Sequence, residues 1–498
     1  MKQKVFLTNL LFLIAMCSPA AAQSKRILTL MESINIAIDK SYDAANLEQS
    51  LIGSRMQLRA AQSGLKSNAE LVFSQFPNYQ ESERRTPIFG GGFSFDRQKF
   101  LDFQAQLFVN QPIKMTDGTL SVVGVMERFK QYDTPTLSGD IDDVVGYSPQ
   151  LRLQFVQPLF TYNRLKTQFK RAELNLERTV QIYTSQQLNI VFNVTLSFYQ
   201  LFQSQQQLQI DRKRLEQSEN AYRIANLKQQ AGLLPEVEVL RLEVDMETSR
   251  NTVAASEAQL SDREDAFKVL IGLPIEEDIE VFTELTYDPV DVNLDKALEE
   301  ALDRRTELRT DEIDIELNTM SITETDAARE ITGQLNLSYG IFKRDEDFYD
   351  AFQDFDQDRR VTFSLNVPLW DWSRNAYEVH AAEANLQNTR LTQRNRVDLI
   401  KQEVRAAVRN LTSAKLRVDI TRRSQELAER SYRISLLRFE NGDFSTQDLS
   451  LEQTRLSDAQ RNYLNSVIDY KTALADLRRK TLWDFEQGER VLVEVPEE

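Results

Sequence analysis

The chain has 498 residues, and its 76 acidic against 60 basic side chains give it a formal net charge of −16 at neutral pH. An acidic chain is a poor candidate for coating the phosphates of nucleic acid, so we expect no nucleic-acid partner. With one histidine, one cysteine and no nucleophile or phosphate-loop motif, the sequence supports neither an enzyme nor a cofactor site.

Residues 1–22 have the pattern of a secretory signal peptide. Two lysines precede an apolar run from Val5 to Met16, and the alanines at 20–22 supply small residues for cleavage before Gln23. A membrane anchor is disfavoured because the run is short for a bilayer span. Cys17 leaves lipidation open, and plain secretion is favoured.

Residues 23–68 are predicted to form the first helix after the leader. Apolar residues follow helical spacing from Ile27 to about Lys66, and Thr29 with Glu32 matches a capping box. We expect one continuous helix over this range.

Residues 69–160 are rich in strand patterns. Alternating runs predict strands at 70–76, 103–109, 119–125 and 151–157, with a turn at 116–118 and a loop over 133–147. Pro158 has no N–H to donate, so we expect it to end the last strand.

Residues 161–271 are predicted to form a long helical hairpin. No Pro or Gly interrupts the chain from Arg164 to Gly232, and one helix of that length would be roughly 100 Å long. Gly232 ends this helix, and the returning helix starts after Pro235. Apolar residues three, four or seven apart form a seam for neighbouring helices, which a soluble coiled coil would also explain.

The rest of the chain repeats this pattern at an offset of 210 residues. Pro158 maps to Pro368 and Gly232 to Gly442, and such a constant offset indicates duplication. The predicted segments are a linker at 272–291, a helix at 292–333, a β-hairpin at 334–370, a long helical hairpin at 371–481 and a tail at 482–498. The opening helix repeats at 264, so the first repeat carries about 54 extra residues before the Pro158 strand.

Two matching hairpins give four strands per chain. Single-chain outer-membrane barrels need at least about eight strands, so several copies would have to share one. Three copies would give about twelve strands, wide enough for a lumen. The extra runs between Phe103 and Val125 leave the count open, because they would lengthen strands, form an external hairpin or add strands.

On these features the chain resembles the TolC-type outer-membrane efflux family over nearly its whole length. The resemblance rests on the junctions Gln157-Pro158-Leu159-Phe160 and Val367-Pro368-Leu369-Trp370, the paired long helices, and the Gly turns followed by acidic helix starts. It implies a mainly α fold with a transmembrane β-barrel portion. That fold combines a long antiparallel coiled-coil tunnel in the periplasm with a 12-stranded barrel shared by a homotrimer in the outer membrane of a Gram-negative bacterium.

The resemblance also implies the function. The chain would be the passive exit duct of a tripartite efflux or type I secretion system, in contact with outer-membrane lipid. Its partners would be a periplasmic adaptor (membrane fusion) protein and an inner-membrane pump or transporter. The alternative is a periplasmic coiled-coil structural or adaptor protein without a pore. Adaptors usually have one helical hairpin within a lipoyl-like β segment, whereas this chain has two helical hairpins.

The family places its periplasmic gate at the helix–helix turns, which here are Gly232 and Gly442. Glu238 and Asp448 lie six residues after these glycines, at the family's acidic gate positions. Around a three-fold axis they would form carboxylate rings that favour cations. Equally, both are acidic residues in the first turn of a helix, where the helix dipole favours them.

Three residues depart from the family pattern near the gate. Leu451 occupies the second acidic position, and Phe439 and Phe444 stand where the family usually has tyrosine and arginine. An apolar constriction is therefore the expected replacement for the polar latch.

Two other groups contain residue types that bind metal ions. His380 is the single histidine, on an alanine-rich helix, and a surface or packing role is favoured. The acidic residues between Asp345 and Asp358 lack the glycine and spacing of a calcium loop, which favours a solvated loop.

Overall fold

The computed structural model describes residues 25–87, 89–90, 92–135, 141–284 and 286–496. The predicted signal peptide and Cys17 lie outside these residues. Two compact units are present. The helical unit contains the described residues of Met1–Ser50, Val180–Arg309 and Arg394–Glu498, and the sheet unit contains those of Leu51–Thr179 and Thr310–Gln393.

Helices make up most of the described chain. They are α1 (Leu30–Lys40), α2 (Tyr42–Ser63), α3 (Arg164–Gln230), α4 (Glu236–Ile271), α5 (Leu294–Arg304), α6 (Thr306–Ala327), α7 (Arg374–Asn441) and α8 (Thr446–Thr481). The bounds of α4 and α8 differ by 210 residues, and those of α1 and α5 by 264. Among the described residues, no helix contains an apolar stretch long enough to cross a bilayer.

The opening segment is a strand and two helices rather than the one helix predicted from Ile27. Ile27 lies in β1 (Arg26–Leu28), which pairs in parallel with β6 (Ile279–Val281). The predicted capping box starts α1: Glu32 N donates to Thr29 Oγ1 at 3.3 Å, and Thr29 N donates to Glu32 Oε2 at 2.9 Å. The Thr29 N–H and the Thr29 hydroxyl, which donates to Glu32 Oε2 at 2.8 Å, hold the pKa of the Glu32 carboxyl below its usual value.

The helix breaks at Ser41 because its extended backbone and its hydroxyl suit a new N-terminus. Ala44 N donates to Ser41 Oγ at 3.1 Å. The second repeat breaks at the matching position, Arg305, between α5 and α6. The spacing of apolar residues alone does not reveal such a break in a helix.

The helical unit buries its apolar residues in clusters along the helices. Phe198 on α3 and Phe267 on α4 pack edge to face at 6.1 Å, together with Leu28 of β1. Further along, the fully buried Tyr470 of α8 donates to Asp288 O at 3.0 Å and accepts from Val290 N at 2.9 Å. These bonds fix the linker between the repeats onto α8.

The sheet unit contains a six-stranded antiparallel sheet. Its order is β2-β3-β4-β5-β7-β8. The strands are β2 (Asn68–Pro87), β3 (Phe93–Ile113), β4 (Gly118–Pro135), β5 (Ile141–Leu159), β7 (Thr332–Phe342) and β8 (Asp356–Asn366). Short strands β9 (Trp483–Asp484) and β10 (Glu489–Arg490) pair near the C-terminus.

Two strand predictions are corrected. Residues 141–147, predicted as loop, belong to β5, where they pair with β4 despite several turn-forming residues. Pro158 does not end β5, since it pairs with Gln334 and the strand runs to Leu159. The last β4 residue paired with β5 at this end is Thr119, opposite Val156, so Pro158 has a strand on one side only, a position that proline tolerates.

The extra runs of the first repeat add strands. They form β3 and β4, which lie inside the sheet between β2 and β5. Within the described residues, the sheet therefore has six strands rather than the four of the two matching hairpins.

Candidate transport surfaces

Strand register gathers exposed apolar side chains on one face of the sheet. Leu71 of β2 pairs with Leu107 of β3, which also pairs with Gly124 of β4. Gly124 pairs in turn with Leu151 of β5, and Leu151 pairs with Ile341 of β7. We call this the apolar face. Its exposed large side chains are Leu71, Phe73, Leu107, Leu120, Val122, Leu151, Leu153, Leu337, Tyr339, Val361, Phe363 and Leu365.

The opposite face is mainly polar. Ser121 Oγ donates to Asn110 Oδ1 at 2.7 Å across β3 and β4. We call this the polar face, and its polar residues include Gln104, Gln106, Asn110, Ser121, Gln150, Arg152, Gln154, Asn336, Ser338, Arg360, Thr362 and Ser364. A sheet of this kind needs an apolar medium on one side and water on the other.

The height of the apolar face matches a bilayer. On β5 its residues run from Leu151 to Leu159, which is about 27 Å along the strand. At the usual barrel tilt this is roughly 21 Å of height, close to the apolar band of about 25 Å in outer-membrane proteins.

Aromatic residues lie beyond one end of the apolar face, and charged residues lie beyond the other. At the end where the strands meet the helices, Phe160, Trp370 and Trp372 are exposed, beside the predicted junction prolines Pro158 and Pro368. Aromatic side chains at this position are typical of a membrane–water interface.

At the other end, the strands of the first repeat continue as a charged extension. Lys130 pairs with Asp143 at 3.0 Å, and Arg128 lies over the ring of Phe103 at 5.9 Å. β7 ends and β8 begins at Phe342 and Asp356, so the extension is built from β2 to β5.

The turn between β3 and β4 is bonded to the start of α3. The buried Asp117 accepts from Arg164 Nε at 3.0 Å and from Leu165 N at 3.1 Å. Asn163 Nδ2 donates to Lys114 O at 2.8 Å. The sequence indicated this turn but not its partner, because nothing in the chain pattern links residues nearly fifty positions apart.

The predicted gate glycines end their helices in the left-handed conformation. Gly232 has φ +74° and Gly442 has φ +90°. Beyond them, Leu233 N donates to Lys228 O and Asp443 N to Arg438 O, each at 2.9 Å. Both turns are thus Schellman-type helix ends.

The two predicted gate carboxylates have different partners. Glu238 accepts from Thr446 Oγ1 of the other helical hairpin and pairs with Arg241 at 3.2 Å. Asp448 stays within its own cap, where Ser445 Oγ donates to it at 2.7 Å. Of these two carboxylates, Glu238 is therefore the one that connects the hairpins.

Further polar contacts join the hairpins, and the sequence did not predict them. Thr446, Ser450 and Thr454 lie four residues apart on α8, and we call them the hydroxyl row. Ser450 donates to Asp245 of α4, and Arg214 of α3 donates to Thr454 at 3.3 Å. The spacing of the row was a detectable signal, but its partners were not.

The aromatic gate candidates pack inside the chain. Phe439 is 1% exposed, in a cluster with Leu242 and Leu449, and Phe444 packs against it. Lys228 Nζ lies 4.7 Å from the Phe439 ring. A constriction needs exposed side chains, and of the three predicted apolar residues only Leu451 is largely exposed.

Of the acidic metal candidates predicted to lie in a loop, Asp356 and Asp358 belong to strand β8. His380 is exposed, with Nδ1 3.0 Å from Glu383 Oε2. In the part of the chain that the structure describes, no group of His, Cys, Asp and Glu is arranged to hold a metal ion.

Comparison with known proteins adds three findings. A family model described as outer membrane efflux protein matches residues 131–273 and 297–481. No curated protein sequence matches the chain significantly. Solved structures match it over nearly its whole length.

Three of these structures are representative. The Campylobacter jejuni CmeC outer membrane channel has a TM-score of 0.68 at 14% identity, covering 93% of this chain and 87% of that one. The outer membrane protein VceC of Vibrio cholerae gives 0.66 at 13%, covering 91% and 95%. The open state of the Neisseria gonorrhoeae MtrE channel gives 0.65 at 15%, covering 91% and 88%. At these identities the likeness establishes the fold.

Proposed function

This chain belongs to the outer membrane efflux protein family and is an outer-membrane exit duct for efflux, and from that premise we propose that it acts as a homotrimer whose sheets enclose one water-filled passage. The observation that carries the proposal is the amphipathic sheet with two unpaired edges. Within the described residues, β2 and β8 each have a strand on one side only.

Unpaired edges cannot remain in lipid. Each backbone N–H and C=O that lacks a partner in the bilayer costs several kcal/mol, so a sheet that crosses it must close. Six strands are fewer than the roughly eight needed for closure by one chain. Copies of the chain therefore complete the wall, with the apolar face toward lipid and the polar face toward the passage.

The passage conducts but does not drive transport. We expect no catalytic or cofactor chemistry in the chain, and the energy comes from an inner-membrane pump or transporter joined to the duct by a periplasmic adaptor. The system is a tripartite efflux or type I secretion pathway.

The proposal extends to the gate at the helical turns. Rings of Glu238 and Asp448 around the three-fold axis would attract cations, and the exposed Leu451 would narrow the passage. Phe439 and Phe444 would hold the two hairpins of each copy together instead of lining the passage.

The test is native mass spectrometry and planar-bilayer recording on the detergent-purified protein. A trimer that inserts and conducts ions is the expected result. A monomer that needs no detergent and gives no conductance would overturn the proposal and favour the coiled-coil adaptor without a pore.

A further inference from the structure

We propose that three copies close a barrel of eighteen strands, rather than twelve, by pairing β2 of one copy with β8 of the next. This inference rests on the proposed trimeric duct and goes beyond it in the number of strands and in the edges that meet. It assigns the extra residues of the first repeat to the barrel wall.

The inserted hairpin is part of the continuous sheet. β3 pairs with β2 from Asn110 back to Phe93, and it pairs with β4 over fifteen register positions. β4 in turn pairs with β5 from Thr119 onward. A hairpin lying outside the wall would leave β2 beside β5, and here two full strands separate them.

The inserted strands carry both faces of the sheet across the insertion. Leu107 of β3 and Val122 of β4 lie on the apolar face, while Asn110 and Ser121 lie on the polar face. A hairpin that lay outside the sheet and was exposed to water would not need a row of exposed apolar side chains in line with those of the neighbouring strands.

The turn of the inserted hairpin is fixed at the membrane end of the helices. Asp117 bonds Arg164 and the backbone of Leu165, and Gln157 Nε2 donates to Thr116 O at 2.7 Å. These bonds connect the insertion to both β5 and α3, so it cannot leave the sheet without breaking them.

The two free edges are complementary. Five successive antiparallel pairings leave β2 and β8 running in opposite directions, as closure of an antiparallel wall requires. Leu71 and Phe73 on β2 and Phe363 on β8 share the apolar face. Pairing the edges of two copies thus continues both faces without interruption.

Eighteen strands make a wider outer opening than twelve. Because barrel diameter grows roughly in proportion to strand number, the increase is about half at equal tilt. Barrels of 16–18 strands leave an aqueous channel. The outer end would therefore admit bulkier cargo than a 12-stranded wall.

Cysteine cross-linking in the intact trimer tests this closure. Val72→Cys on the polar side of β2 is combined in turn with Thr362→Cys, Ser364→Cys and Asn366→Cys on β8, since paired strands bring Cα atoms within disulfide range. The matched control is Ser121→Cys with Gln154→Cys, which are register partners on β4 and β5. We expect the control to cross-link within a chain, and at least one β2–β8 pair to give dimers and trimers on a non-reducing gel.

Each other outcome is decisive. If Val72→Cys links instead to Arg152→Cys within one chain, as the register of Asn336 with Thr362 in the second repeat predicts for adjacent strands, β2 lies beside β5 and the barrel has twelve strands. If the control pair forms in a trimer but no β2–β8 pair does, the proposed edges are wrong while the trimeric duct stands. If native mass spectrometry shows no trimer, the proposed function itself fails.

Discussion

Gly272 and Gly232 show how one backbone conformation serves two purposes. Both have positive φ, at +78° and +74°, but a Cβ on Gly272 would lie 2.3 Å from Lys40 O, whereas one on Gly232 would have no atom within 4 Å. Left-handed strain costs an alanine roughly 1–2 kcal/mol. We therefore expect Gly232→Ala to lower stability by about that amount.

Gly272→Ala should cost clearly more, because the end of α1 must move away. Thermal unfolding of the purified protein compares the two variants, and hydrogen exchange at the end of α1 locates the change. Equal losses in both would mean that the close approach at Lys40 is not a constraint.

Tyr470 holds the linker between the repeats through its hydroxyl. Tyr470→Phe removes the bonds to Asp288 O and Val290 N while keeping the buried ring. A hydrogen bond contributes about 0.5–1.5 kcal/mol net, so we expect the loss of both bonds to lower the free energy of unfolding by about 1–3 kcal/mol. Urea unfolding measures it, and an unchanged midpoint would contradict the role of the hydroxyl.

The same residue should affect stability at alkaline pH. Burial raises the pKa of Tyr470 above the usual tyrosine value of about 10. A raised folded-state pKa gives stability that is present below pH 10 and is lost as the pH rises through the folded value. The difference between wild type and Tyr470→Phe should therefore shrink above pH 10, while a constant difference would rule out this titration.

At the scale of elements, the two long helices start with carboxylate caps from different places. Asp117 of the inserted turn caps α3, whereas Asp371, next to its own helix, caps α7 by accepting from Ser373 N and Asn375 N, each at 2.9 Å. These backbone bonds, that of Asn375 first, hold the pKa of Asp371 below its usual value.

Asp117→Ala should loosen the start of α3 by about 1–2 kcal/mol, the usual value of a lost cap. Asp117→Asn, which keeps the bond to Leu165 N, should cost less. Hydrogen exchange at residues 164–168 measures the effect, with the start of α7 as internal reference. Faster exchange at both helix starts would indicate a general loss of folding rather than a lost cap.

The hydroxyl row connects the two helical hairpins of one copy near their turns. Thr446→Val with Ser450→Ala removes donors to Glu238 and Asp245. A hydrogen bond to a charged group contributes about 1.5–3 kcal/mol, and 1.4 kcal/mol is tenfold in an equilibrium. If the gate opens by parting these hairpins, the open fraction in bilayer recordings should rise roughly tenfold or more.

Thr248→Val on α4 is the matched control. Its exposed hydroxyl bonds only Val244 O of its own helix among the contacts described for it, so the same chemical change should leave gating unaltered. An unchanged open fraction in the double variant would show that the hydroxyl row does not control the gate.

Across the whole chain, the internal duplication allowed the fold to be predicted from the sequence. Pro158 with Pro368 and Gly232 with Gly442 identify the repeated junctions and turns, because proline and glycine are tied to local backbone conformation. Contacts between residues far apart in the sequence could not be predicted in this way. The bonds of Asp117 to α3 and of Thr446 to Glu238 depend on how elements dock, and the break at Ser41 depends on one hydroxyl.

The orientation of the sheet gives a prediction about the assembled duct. Phe363 and Ser364 are neighbours on β8 and point to opposite faces, with Phe363 on the apolar face. An arginine facing lipid near the middle of a bilayer costs about 2–4 kcal/mol, whereas one facing a water-filled lumen costs little. Phe363→Arg should therefore reduce the amount of folded trimer in outer-membrane fractions several-fold, and Ser364→Arg should leave it nearly unchanged.

The second variant has its own readout, because a charge on the polar face lies along the conduction path. Ser364→Arg should lower the preference for cations in bilayer recordings while the trimer remains intact. If both variants assemble equally well, or if Ser364→Arg alone blocks assembly, the apolar face does not contact lipid. The edges of β2 and β8 would then need a different partner from a second copy, since only a wall immersed in the bilayer forces them to pair.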